Sequence, residues 1–207
     1  YHFKSEYVVA QPTAIVAATK MNVFYIGVDN PVSISVPGVP DTKVKPSISS
    51  GCSLSKGSTG GAYIVKCQTG VSKASISVAA DMGGDGKSKS MGTSEFRVKR
   101  VPDPVPFIGG VKGGNIAKAV LLAGGAIIPV MENFDFDLNF RITGFNFTIN
   151  AGGDLITREG RGNVLDDNMK KMIQGSNKGQ KIFIEDIKAV GPDGSVRTLS
   201  PLNLKLM

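Results

Sequence analysis

The amino-acid sequence predicts a mainly β protein of two consecutive β-sandwich domains, the second carrying one or two short helices. Three observations lead there. Short apolar runs alternate with polar residues at a period of two, the pattern of strands with one wet face. Gly (26) and Pro (11) are plentiful among the 207 residues and fall between those runs, as tight turns require. One segment, VPDPVP over 101–106, sets three prolines in five residues, which opposes helix and central strand and favours a stiff extended connector. The expected domains are 1–101 and 107–207, joined by a proline-rich connector over 102–106 that limits hinge motion.

In the first half, Val32, Ile34 and Val36 alternate with Ser33 and Ser35. Cys52 and Cys67 flank Lys56 to Gly61 (KGSTGG), which reads as a hairpin turn. Folding about Thr59 brings the cysteines across from each other, within the ~7 Å between Cα atoms that a disulfide needs. A bridge there stabilises by roughly 3 kcal/mol and points to an oxidising compartment. Two buried reduced thiols are the alternative. Tyr63, Val65 and Cys67 alternate with Lys66 and Gln68; Ile76, Val78 and Ala80 follow, then Phe96 and Val98 against Arg97 and Lys99. Asp29-Asn30-Pro31, Pro37-Gly38, Ser50-Gly51, Thr69-Gly70 and Asp85-Gly86 supply turns. Asp81 to Lys87 (DMGGDGK) lacks both the acid spacing of an EF-hand and the ending of a phosphate loop, so a hairpin turn explains it.

In the second half, Asn115 to Leu122 reads as a short helix with Asn115 as N-cap and Gly124 ending it. The glycine pairs before it, Gly109-Gly110 and Gly113-Gly114, could place an anion at a helix N-terminus, but no nucleotide-binding context surrounds them and a loop is the simpler reading. Phe134, Phe136, Leu138, Phe140 and Ile142 occupy even positions of one strand, and Phe145, Phe147 and Ile149 then occupy odd ones. A slip of one residue would turn the strand inside out, so a β-bulge or bend is required at Thr143-Gly144. Leu165, Met169, Met172 and Ile173 recur at helical spacing and end towards Gly175. Asp166 and Asp167 lie in the first turn and Lys170 and Lys171 nearer the end, as the helix dipole favours. Strands over Lys181 to Val190 and Ser195 to Leu206 flank a Gly191-Pro192-Asp193-Gly194 turn.

Little of this composition serves catalysis. His2, at the terminus, is the sole histidine, which removes a Ser–His–Asp triad, a Cys–His pair and a histidine-rich metal centre. Asp135 and Asp137 share a strand face but read as its solvent side, and Glu185 and Asp186 point apart as strand neighbours. No cofactor is expected. The net charge of +7 sits mostly in residues 1–100, which hold 12 Lys/Arg against 6 Asp/Glu. Those lysines are scattered with few aromatics to stack on bases, so no nucleic acid is expected; the choice lies between a solvated basic face and an acidic protein partner. No run approaches the ~20 apolar residues of a membrane span, and no signal-peptide pattern opens the chain, so no membrane contact by these residues is expected. Arg158 and Arg161 flank Glu159 in a loop over Gly152 to Gly162, where local charge pairing and a protein contact are the two readings.

Four segments carry a family likeness. Val23 to Gly38 (VFYIGVDNPVSISVPG), Gly92 to Pro104 (GTSEFRVKRVPDP), Glu132 to Phe147 (ENFDFDLNFRITGFNF) and Gln180 to Pro201 (QKIFIEDIKAVGPDGSVRTLSP) resemble, in order, the last two periplasmic domains of GldM and PorM. The FRVK-x-V-P-D-P connector followed by NFDFD and GPDG is the most specific part. The resemblance implies two consecutive Ig-like β-sandwich domains in a non-catalytic periplasmic subunit of the type IX secretion and gliding machinery. It implies a homodimer, anchored in the inner membrane by an N-terminal helix that works with a GldL/PorL-type protein. The periplasmic part would couple that motor to the outer-membrane-associated GldK/GldN or PorK/PorN ring, with Arg158 and Arg161 as candidate contacts. A cell-surface adhesion or carbohydrate-binding module is the alternative, weakened by the absence of Trp, and a hydrolase using Asp135 or Asp137 is a third.

Overall fold

The computed structural model describes residues 4, 19–81, 88–136, 138–151 and 153–207. The chain divides into two compact units, Tyr1–Arg100 and Val101–Met207. Both are mainly β, and their sheets are consistent with β-sandwich architecture.

The first unit contains strands β1 (Val23–Tyr25), β2 (Asn30–Ser33), β3 (Val44–Ile48), β4 (Cys52–Lys56), β5 (Ala62–Cys67), β6 (Lys73–Asp81) and β7 (Ser88–Lys99). One sheet has the order β1-β7-β6-β3 and the other β2-β5-β4. Alternation decides the faces: Tyr63, Val65 and Cys67 of β5 are buried, whereas Lys66 is exposed. With Phe24, Val44, Ile76 and Val98 they form one apolar cluster. After β1 the chain changes sheet, Ile26 forming a parallel bridge to Cys67. Asn30 holds this corner. Its amide accepts from the Tyr25 N–H at 2.7 Å and donates to the carbonyls of Tyr25, Val28 and Val65 at 2.9, 3.1 and 3.1 Å, while the residue is only 2% exposed. A buried amide so fully bonded substitutes for the ladder bonds lost where the chain leaves one sheet for the other.

The second unit contains β8 (Val105–Ile108), β9 (Gly114–Ile116), α1 (Lys118–Ala123), β10 (Ile127–Val130), β11 (Arg141–Ala151), β12 (Asp154–Arg161), α2 (Asp167–Gln174), β13 (Lys181–Val190), β14 (Val196–Thr198) and β15 (Leu202–Leu206). Its main sheet has the order β12-β11-β13-β15-β9, with β14 also on β13; β8 and β10 form a separate ribbon. Phe145, Phe147, Ile149, Ile182, Ile184 and the leucines of β15 line the inner face, and Leu121, Met169, Ile173, Ile108 and Ile127 from the helices and ribbon complete that core. Residues 105 and 106, expected in the connector, are strand residues of the ribbon, Pro106 pairing with Pro129. A two-stranded ribbon tolerates proline because one edge of each strand needs no donor.

The bulge at Thr143-Gly144 is present: Ile142 pairs with Ala189 but Gly144 pairs with Lys188. Opposite it lies a second irregularity that the sequence reading lacked. Between Gly144 and Asn146 the register shifts back, and Asp186 in β13 has φ +50°. One extra residue on each strand restores the original pairing, so Phe147 meets Ile184 and the inward sets on both sides of the bulges stay in the core. At this bulge the rule that strand neighbours point apart fails. Glu185 pairs with Asn146, whose amide donates to Asp186 at 3.0 Å, and both acids are exposed.

Other expectations need correction. Among the described residues from 131 to 140 there is no strand; β11 begins at Arg141. Asn133 has φ +56°, which breaks extension, and the apolar periodicity arises from ring packing instead: Phe134 meets Phe136 at 5.3 Å between centroids. Asp135 therefore is not on a strand face, and Asp137 lies outside the described residues, as do His2 and residues 82–87. Asn115 belongs to β9, paired with Lys205, so α1 starts later, after Ala117, and ends at Gly124. The strand expected from Ser195 to Leu206 is two strands, interrupted at 199–201, where Pro201 has no N–H to continue a ladder. Helix α2 follows its sequence signals: the Asp166 carboxylate accepts from the Met169 N–H at 2.7 Å and Gly175 is the C-cap.

Candidate functional site

The most elaborate polar cluster among the described residues centres on Arg197 in β14. Arg197 pairs with Ala189, which is fully buried, so the register directs the guanidinium inward; the neighbours Val196 and Thr198 are exposed. At 7% exposure, the charge must be met by partners or the unit would not hold it there. Two carboxylates and two carbonyls meet it. Arg197 Nη2 donates to Asp193 Oδ2 at 3.0 Å, and Nη1 donates to Asp103 Oδ1 at 2.9 Å and to the Val101 and Pro102 carbonyls at 2.6 and 3.4 Å. The Phe140 ring lies 5.2 Å from the guanidinium carbon, a cation–π contact. The Gly191–Gly194 turn presents Asp193: the Gly194 N–H donates to the Gly191 carbonyl at 3.0 Å, and Gly194 has φ +74°, which favours glycine.

Burial of the Asp193 carboxyl by itself would raise its pKa, but hydrogen bonds from the Ser195 hydroxyl and amide and from Arg197 outweigh that and hold it at about 2. The carboxylate is thus kept charged opposite the guanidinium. Chemically, the cluster grips backbone. It fastens Val101, which is 2% exposed, and the start of the proline segment to the β13–β14 turn. Asp193 and Arg197 are four residues apart across a GPDG turn, and Asp103 sits in VPDP; the sequence offered these acids and this arginine but no sign that they converge.

Cys52 and Cys67 are paired on β4 and β5 and joined by a disulfide, with Cα atoms 4.1 Å apart. The adjacent Gln68 N–H donates to the Gly51 carbonyl at 2.9 Å, so the cysteines occupy a non-hydrogen-bonded pair, where facing side chains are closest. Arg158 and Arg161 are not in a loop. They belong to β12, an edge strand paired with β11, opposite Phe147 and Gly144 respectively. Both are exposed, and among the described residues neither has an ion-pair partner. Arg158 shares a face with the buried Phe147, whereas Arg161, three residues on, lies on the opposite side. Gly109, Gly110, Gly113 and Gly114 all have positive φ and form the turns around Val111, which accounts for them without an anion.

Among the described residues no group of three or more His, Cys, Asp or Glu could hold a metal ion, and no helix is long and apolar enough to cross a membrane. The described residues thus form two β-domains, one with a disulfide-linked hairpin and the next with an arginine that grips backbone. Residues 13–99 match the model of the GldM third domain and residues 102–207 that of the GldM C-terminal domain. The chain belongs to the GldM family, a structural component of the type IX secretion and gliding machinery. No curated protein matches it.

Proposed function

We propose that this chain is a non-catalytic, periplasmic, Ig-like part of a GldM/PorM-type subunit that couples an inner-membrane motor to an outer-membrane-associated ring. The observation that carries the reading is the succession of the two family domains over 13–99 and 102–207. The Arg197 cluster supports a load-bearing role. A segment held by three hydrogen bonds from one buried guanidinium, two of them to backbone carbonyls, with a fourth bond tying the guanidinium to Asp193, is fastened to its domain by charge-assisted contacts. The subunit acts as a homodimer, engages a GldL/PorL-type protein through a segment outside these residues, and meets a GldK/GldN- or PorK/PorN-type ring. The Cys52–Cys67 bridge is a structural staple suited to the oxidising periplasm.

The contact with the ring is assigned to the exposed edge strand β12 through Arg158 and Arg161. Affinity capture of ring proteins by the full-length protein, with and without Arg158→Glu and Arg161→Glu together, tests the assignment. Recovery should fall clearly in the double variant; recovery equal to that of the unaltered protein removes β12 from the interface.

A further inference from the structure

The outer face of the main sheet in the second unit is banded in charge by its register. Paired residues share a face, so rows crossing the strands follow from the pairing. In one row Leu155 pairs with Asn150, the Ile149–Ile182 pair sets Asn150 beside Lys181, Lys181 pairs with Lys205, and Lys205 with Asn115. Lys178, in the turn before β13, borders the same corner. All three lysines are exposed, and among the described residues none has a carboxylate partner. Lys181 and Lys205 face each other across neighbouring strands, where like charges repel. Along β13 the nearest outward acid is Glu185, four residues away or ~13 Å, beyond the ~8 Å screening length of physiological salt. Beside the lysines, Leu155 is 67% exposed and Phe183 is half-buried, and a depression of about 510 Å³ opens between them.

We propose that this corner docks an extended acidic segment of another protein. An apolar side chain of that segment rests against Leu155 and Phe183, and its carboxylates reach Lys181 and Lys205. The spacing fits. Strands lie ~4.8 Å apart, so Lys181 and Lys205 are roughly 10 and 14 Å from Leu155 along the row; residues two and four apart in an extended peptide are ~7 and ~13 Å apart. An apolar residue followed at two and four positions by acids matches the row. An anionic membrane suits it less, because Glu159, Glu185 and Asp186 form an acidic band on the same face and would be pressed against the headgroups. The surface uses neither Arg158 nor Arg161 and stands apart from the role proposed for them.

Fluorescence anisotropy of the two-domain chain with a labelled peptide Gly-Leu-Thr-Glu-Thr-Glu-Gly tests this, with a Lys-for-Glu peptide as control. The acidic peptide should bind and the basic one should not. Lys181→Glu with Lys205→Glu should weaken binding about tenfold or more, and Leu155→Ser should weaken it several-fold, as buried charge and apolar anchors do. Arg158→Glu with Arg161→Glu should leave it unchanged. Where the charge-reversed variant fails to fold by circular dichroism, Lys181→Gln with Lys205→Gln replaces it. Three results overturn the proposal: no binding of the acidic peptide, undiminished binding by the folded lysine variant, or capture of the chain by phosphatidylglycerol vesicles together with indifference to the peptide.

Discussion

The two units hold about a hundred residues each by different means. Among the described residues the core of the first has ten buried members, many of them Val, Ala or Cys, whereas that of the second has nineteen, dominated by Ile, Leu and Phe. Serine-rich strands such as β4 and β7 offer little apolar surface, and in that unit a disulfide and the Asn30 amide supplement the packing. The second unit has apolar surface enough to enclose a charged residue, and its buried ion cluster holds a segment of chain in place. Covalent and polar reinforcement thus falls where burial is scarce in one case, and where the backbone needs fixing in the other.

The sharpest way to break this comparison is Arg197→Leu. It takes from the enclosed Asp193 carboxylate its charged partner and from the Val101 carbonyl its guanidinium donor, and removing one partner of a buried pair costs about 3–5 kcal/mol. Hydrogen exchange should show residues 101–106 losing protection while 23–99 keep theirs. A uniform loss across both units would mean that Arg197 is not a local fastening. Next is the disulfide. Cys52→Ser with Cys67→Ser opens a loop of 15 residues, and the chain-entropy model gives a loss of about 3 kcal/mol. Denaturant unfolding followed by exchange in β4 and β5 should lose that stability in the first unit; an unchanged midpoint would show that its core suffices alone.

How much of this was legible in the sequence depended on whether the governing interaction was local. The alternation in β5 and β15, the capping of α2 by Asp166 and the bulge at Thr143 each follow from neighbours within a few positions, and a parity change at Phe145 announces the bulge directly. The parity of Phe134, Phe136 and Phe140 misled, because rings at even spacing also arise when aromatics pack on each other and on a guanidinium. Asp186 gave no signal: its bulge compensates the one on β11, and only the pairing of the two strands requires it. The Arg197 cluster was invisible for the same reason, as Asp103 and Arg197 are 94 residues apart in sequence. Arg158 and Arg161 read from the sequence as residues of a loop over Gly152 to Gly162, yet Gly160 is a strand residue pressed beneath Phe145.

That contact makes a smaller prediction. A Cβ at Gly160 would overlap the Phe145 ring, so Gly160→Ala should cost about 1–3 kcal/mol by forcing the ring from its place. Thermal unfolding of the second unit reads it, and an unaltered midpoint would show that the edge strand yields instead. Acid gives an effect of similar size. The folded Asp193 carboxyl titrates at about 2 against an ordinary 3.8, so the unfolded chain takes up the proton first as pH falls. Its contribution is complete above about pH 4 and disappears towards pH 2, on the order of 2 kcal/mol. Asp193→Asn should start less stable and show a shallower acid limb; an identical slope would place the acid sensitivity elsewhere.

The smallest effect concerns the helix that closes the core of the second unit. Asp166 satisfies one N–H of the first turn of α2, and its charge lies at the positive end of the helix dipole. Asp166→Ala should therefore cost about 1 kcal/mol, whereas Asp166→Asn, which keeps the acceptor but loses the charge, should cost a few tenths. The difference between the two variants isolates the charge from the hydrogen bond. Met169 and Ile173 are fully buried and anchor the helix regardless, so the loss should appear as earlier exchange of the first turn rather than detachment of α2. Global unfolding at a markedly lower temperature in Asp166→Ala would mean that the cap, and not the apolar face, holds the helix on the sheet, and the second unit would then depend on polar fastening as much as the first.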